Sequence, residues 1–134
     1  MNRTQQKVDP VAARDFLLRK KQRRQTKLAR RYEQAVHDFE AIKNMIIEHY
    51  RPERIWQWGS LLDRAKFREY SDIDIAVEGV NEAEEFFKMF GDAERLTNFP
   101  LDLIDINKIA PEFAALIKSK GKIVYESGNS RITS

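Results

Sequence analysis

The chain contains no cysteine among its 134 residues. Disulfides and thiolate metal sites are therefore excluded. Histidine is nearly absent too, with only His37 and His49, which is too few for a His-built zinc centre. Glycine and proline are sparse, and neither occurs anywhere from Val11 to Arg51, so nothing punctuates that stretch. No apolar run reaches 18 residues, the length that would suggest a membrane-spanning helix. The opening "MNRTQQKVDPVAARDF" lacks a basic-then-apolar leader with a small-residue cleavage site. These absences give the expectation of a cytoplasmic protein with no membrane partner.

What is present is an ordinary globular composition, 42% hydrophobic and 34% charged, on a length suited to one domain with a modest core. Charge is uneven. The net is +3, but residues 1–50 hold twelve Lys/Arg against six Asp/Glu, whereas residues 51–134 hold twelve against fifteen. A basic arm thus precedes a mildly acidic body, as suits an acidic partner or nucleic acid.

Asp9-Pro10 reads as a helix start, a capping carboxylate before a proline at the first helical position. Leu28, Tyr32, Ala35, Val36, Phe39, Ile42, Met45, Ile46 and His49 follow three- and four-residue spacings, one apolar stripe. Before it, Arg19 to Arg31 is polar nearly all round. The expectation is one long helix, or two collinear ones, whose first half projects. Arg51-Pro52 ends it. Beyond lie a strand "RIWQW", a Gly59-Ser60 turn, "LLDRAKF" as short helix or irregular connection, and a strand "DIDIAVE" with clean alternation. A helix follows, capped by Asn81 and stopped at Gly91, then a strand Leu101 to Ile106. A helix from Pro111 to Lys120 precedes a last strand "KIVYE". This order gives an α/β (α+β) fold, a small mixed sheet with packed helices behind a long N-terminal helix. The divisions expected are 1–50 as a basic helical extension, 51–126 as the core and 127–134 as a flexible tail.

Asp72 and Asp74 project from one strand face because the side-chain period is two. Isolated charges on a core strand are costly, so that face is solvated or a cation sits between them. Asp102 opens the next strand. Three converging carboxylates would repel and raise one another's pKa, which hard divalent cations such as Mg²⁺ relieve. Two such ions can serve an in-line displacement of pyrophosphate. Gly59 lets backbone approach a ligand closely. The following N–H groups and the Ser60 hydroxyl can hold phosphate oxygens. Ser60 can equally cap the next turn. Arg64, Lys66 and Arg68 are candidate phosphate partners, or plain surface cations. Asp105 lies three residues from Asp102, so on the opposite face of the strand, and is the other candidate for the third carboxylate. Trp56 and Trp58 read as core or partner surface, and both histidines as structural.

Together, "RPERIWQWGS", "SDIDIAVEG", "PLDLIDI" and "IKSKGKIVYE" resemble the minimal nucleotidyltransferases of the DNA polymerase β superfamily, although the eleven-residue spacer (61–71) is one residue longer than expected of the antitoxin subgroup. The resemblance covers roughly Glu48 to Glu126. Arg64-Ala65 departs from the Arg-Gly step of many members. The resemblance implies a polymerase-β-like core in which Asp72, Asp74 and Asp102 are the catalytic Mg²⁺ ligands, which leaves Asp105 to read as a solvated or capping residue. Gly59 and Ser60, with Arg64, would hold the triphosphate. It implies two Mg²⁺ ions, ATP as donor, and AMP transfer to a helical HEPN-type toxin that the protein silences as an antitoxin. Three alternatives stand beside this: a contact-only antitoxin, transfer to RNA, and transfer to a small molecule. The run Arg19–Arg31 is a solvated helix, an RNA or DNA footprint or a docking arm carrying Phe16, Leu17 and Leu18. A homo-oligomer could also complete the acceptor site.

Overall fold

A computed structural model describes residues 9–128. Most of the tail expected from 127 onward lies outside the described residues. A single 41-residue helix, α1 (Pro10–Tyr50), replaces the alternative of two. Its length is about 61 Å. Asp9 caps it by accepting from the Val11 N–H at 3.0 Å. Arg51 closes it in the left-handed region, φ 47, because Pro52 denies its predecessor the helical conformation.

Strand β1 (Arg54–Trp58) follows, then two single 3₁₀ turns at Ser60–Leu62 and Arg64–Lys66, then β2 (Ile73–Glu78). Helix α2 (Ala83–Glu94), β3 (Leu101–Asp105), α3 (Pro111–Lys120) and β4 (Lys122–Glu126) complete the chain. The sheet order is β3-β2-β1-β4. β2 and β3 run parallel, while β1 is antiparallel to both β2 and β4.

One face of the sheet takes α1 and α2. Ala35, Phe39, Ile42 and Ile46 from the apolar stripe join Ile55, Ile73, Ile75, Val77, Phe67 and Met89 in one core. Each such fully buried aliphatic side chain contributes roughly 1.5–3 kcal/mol. The second half of α1 thus packs with the strands, and only its first half projects: nearly every residue from Pro10 to Lys27 is exposed. The other face takes α3, whose Ile117 packs with Trp56, Ala76 and Ile106.

Four expectations need correction. Helix α2 runs through Gly91 to Glu94. A helical glycine costs about 1 kcal/mol, and burial of Met89 and Ala93 on either side outweighs it. Its N-cap is Glu82 with no side-chain bond, not Asn81. Neither histidine is structural, since both are exposed on α1. Asp105 is not solvated; it is 8% exposed and accepts from the Asn107 N–H at 3.0 Å, so its capping role stands.

Asp38 escaped the sequence reading because an acid on a helix reads as surface. It is 7% exposed. It accepts from Gln34 Nε2 at 2.8 Å and from the Thr97 hydroxyl at 2.7 Å, tying α1 to the loop before β3. Asp38→Ala would leave the Thr97 hydroxyl without its acceptor. A loss of about 2 kcal/mol is expected, read as a lower urea midpoint at unchanged slope. An unchanged midpoint would mean the tie carries no weight.

Candidate active site

β2 turns Ile73, Ile75 and Val77 into the core shared with α1 and α2 and so presents Asp74 on the opposite face. In the parallel register Asp74 stands beside Asp102 on β3. In the antiparallel register it stands opposite Trp58 on β1. Asp72 immediately precedes β2. Asp72 and Asp74 are half-buried and Asp102 is exposed. The fold therefore gathers three carboxylates and the end of β1 at one edge of the sheet.

Gly59 follows β1 with φ 83 and ψ −165, a region open in practice only to glycine. A Cβ there would stand 2.1 Å from Asp74 Oδ2. The glycine is thus required twice, by its backbone and by the carboxylate against it. Ser60 opens the first 3₁₀ turn and its hydroxyl does not cap it; among the described residues that hydroxyl has no partner. Asp63 caps the second turn instead, accepting from the Ala65 N–H at 3.0 Å.

Electrostatics mark Asp74. Burial first, then the charges of Asp102 and Asp72, push its carboxyl up to about 7. Asp102 is raised as well, by burial and by Asp72. Among the described residues none of the three acids accepts a hydrogen bond or pairs with a cation. All three offer hard oxygen donors, the chemistry that suits Mg²⁺. As they stand, no three such groups among the described residues converge tightly enough to share an ion.

Arg64 is not gathered with the acids. Its guanidinium lies 5.1 Å from the ring centroid of Tyr32 on α1. Arg68 donates to the carbonyls of Ala65 and Phe67 at 2.8 and 3.0 Å, bracing the connection rather than facing the acids. Trp58, missed as a site neighbour, sits directly across from Asp74, and its ring meets Phe113 of α3 edge-on at 6.0 Å. Its position two residues from Trp56 on a strand was the available signal.

The sequence profile described as "Polymerase beta, Nucleotidyltransferase" matches residues 40–130. No curated protein matches the chain in sequence. Among solved structures, a toxin–antitoxin with AMP-PNP is similar over 68% of this chain and 76% of that one, with TM-score 0.55 and 18% identity. The toxin–antitoxin MntA-HepT is similar over 69% and 74%, with TM-score 0.53 and 16% identity. Identities this low speak for a shared fold. The profile match spans well over half of the chain, and it takes in the Gly59 turn, the β2 acids and Asp102. This protein belongs to the polymerase β nucleotidyltransferase family.

Proposed function

We propose that the protein transfers AMP from ATP to a hydroxyl on a helical HEPN-type partner protein, as the antitoxin of a pair. The observation that carries this reading is the juxtaposition of Asp74, Asp102 and Gly59 at one sheet edge. Repelling acids held together against a mandatory glycine have no use in a contact-only binding module. The fold is shared with a toxin–antitoxin bound to AMP-PNP, which supports both the nucleotide and the kind of partner.

In this reading residues 51–126 carry the chemistry, closed on one face by the second half of α1. Asp72, Asp74 and Asp102 would hold Mg²⁺, which supplies charge neutralisation at the phosphates and a more acidic attacking hydroxyl. Gly59 lets the Asp74 carboxylate lie against the turn, and the Ser60 hydroxyl with the backbone N–H after it would donate to phosphate oxygens. The acceptor oxygen attacks the α-phosphorus as the bond to pyrophosphate breaks. Asp102 would take the hydroxyl proton. Arg64 would reach the triphosphate only after leaving Tyr32.

The test is transfer of α-labelled ATP, with Mg²⁺, to the product of the neighbouring gene and to RNA. Label on the partner protein, lost in Asp72→Asn/Asp74→Asn, is expected. Label on RNA alone would redirect the function to RNA modification. No transfer anywhere, with equal partner binding by both forms, would leave a contact-only antitoxin.

A further inference from the structure

Nine Lys/Arg stand on α1 between Pro10 and Tyr32, against Asp15 as the one acid. Among the described residues none of the nine forms an ion pair. An isolated helix of this charge repels a second copy of itself, so its counter-charge must come from elsewhere. Arg19, Arg23, Lys27 and Arg30 repeat at four, four and three residues, which places them on one face pointing away from the sheet. They line a shallow trough along the helix with Gln22 and Thr26.

The trough does not end on bare helix. Arg30 also lines a polar cleft of about 570 Å³ at the root of α1. Arg95 and Asn98 close its far side. Arg31 is braced there, donating to the Glu69 carbonyl at 2.9 Å with its guanidinium 4.4 Å over the Phe99 ring. Exposed, unpaired cations on the helix thus run into a cleft lined by Arg30, Arg31 and Arg95, where Arg95 is paired to Asp92 and Asp38 also lines the wall. The family match begins only at residue 40, so the helical part of this track precedes the shared nucleotidyltransferase core, while the far wall of the cleft belongs to it.

We infer that the projecting half of α1 and the cleft at its root form one binding track for the phosphate backbone of duplex nucleic acid. Charge complementarity argues for a polyanion. The fixed row of cations suits regularly spaced phosphates. No aromatic residue interrupts the row between Arg19 and Arg31, so base stacking of single strands is not what it offers. Recognition of this kind is sequence-independent and releases counterions. It does not depend on the transfer chemistry.

The experiment is fluorescence anisotropy of the full chain with a labelled RNA hairpin and a matched DNA duplex, from 50 to 300 mM KCl. Arg19→Gln/Arg23→Gln/Lys27→Gln/Arg30→Gln is the variant. These side chains are exposed, and circular dichroism of the variant checks that the helix persists. The wild type is expected to bind. The variant is expected to bind at least tenfold more weakly, with a log–log salt slope lower by about three to four. Asp72→Asn/Asp74→Asn should bind as wild type does, which separates this result from failure of the transfer reading. Binding of RNA alone or DNA alone supports the track and names its source. The inference is overturned by no binding at 50 mM KCl, by a variant that binds equally, or by a polyglutamate peptide that displaces the duplex at equal charge, which would mark an acidic protein as the partner.

Discussion

Replacing Asp74 with asparagine is expected to abolish nucleotide transfer, by on the order of 10³-fold or more, and to stabilise the cation-free protein at neutral and alkaline pH. The two effects have one cause. Asp74 is the acid that burial and two neighbouring acids burden most, titrating near 7 rather than at 3.8. Between those values the folded protein holds a proton that the unfolded chain has released. Stability from this group is therefore full below pH 4 and is lost as pH rises through 7. Three pH units would correspond to about 4 kcal/mol; Asp74 is part-exposed, so solvent screening reduces this to about 2. Urea titrations at pH 4, 5.5 and 7.5 in EDTA should show wild type losing more stability than Asp74→Asn across the range. Raised Asp102 adds in the same direction. Millimolar Mg²⁺ should restore wild type at pH 7.5 by ligand linkage and do less for the variant. Parallel pH curves for the two proteins would mean that the acids do not burden one another.

Much of this site was legible from residue order. Alternation in "DIDIAVE" fixed which face of β2 the acids occupy, because Ile73, Ile75 and Val77 cannot face water together. Spacing put Asp102 and Asp105 on opposite faces, since three residues on a strand reverse the face, and the family resemblance then chose Asp102. The helix boundaries at Asp9-Pro10 and Arg51-Pro52 were equally local, written in caps and in proline sterics.

What escaped was set by partners distant in sequence. Asp38 is buried because Thr97, fifty-nine residues away, supplies its hydrogen bond; no helical periodicity carries that information. Arg64 looked like a phosphate ligand by proximity to Ser60, yet the 3₁₀ turns direct it toward Tyr32 on α1. Gly91 read as a stop, and neighbouring burial carried the helix past it. Glu78 is another such case: 6% exposed, it accepts from Trp56 Nε1 at 2.7 Å and lies 3.5 and 3.7 Å from Arg54 and Lys118. The fold brings those cations to it from β1 and α3. Local rules set the elements, while tertiary contact decides which polar residues are buried among them.

Gly59→Ala is expected to be nearly as damaging as loss of Asp74, for a reason that the sequence only half contained. A glycine beside the site suggested close approach to a ligand; the structure adds that it already makes room for Asp74. A methyl group would stand 2.1 Å from Asp74 Oδ2 and 2.9 Å from its Cγ, so the carboxylate must swing away from Asp102. The backbone, at φ 83, adds about 1–3 kcal/mol of strain for any other residue. A total loss of about 4 kcal/mol is expected, with transfer reduced to the level of Asp74→Asn. The same substitution made on Asp74→Ala should cost only about 2 kcal/mol, because the nearest remaining atom of residue 74 is its Cβ at 3.2 Å. The double-mutant cycle therefore reads the contact directly, as a coupling of about 2 kcal/mol between residues 59 and 74. Equal costs in both backgrounds would assign the glycine to its backbone conformation alone. A coupling near 2 kcal/mol would instead show that Gly59 holds the Asp74 carboxylate in its place beside Asp102.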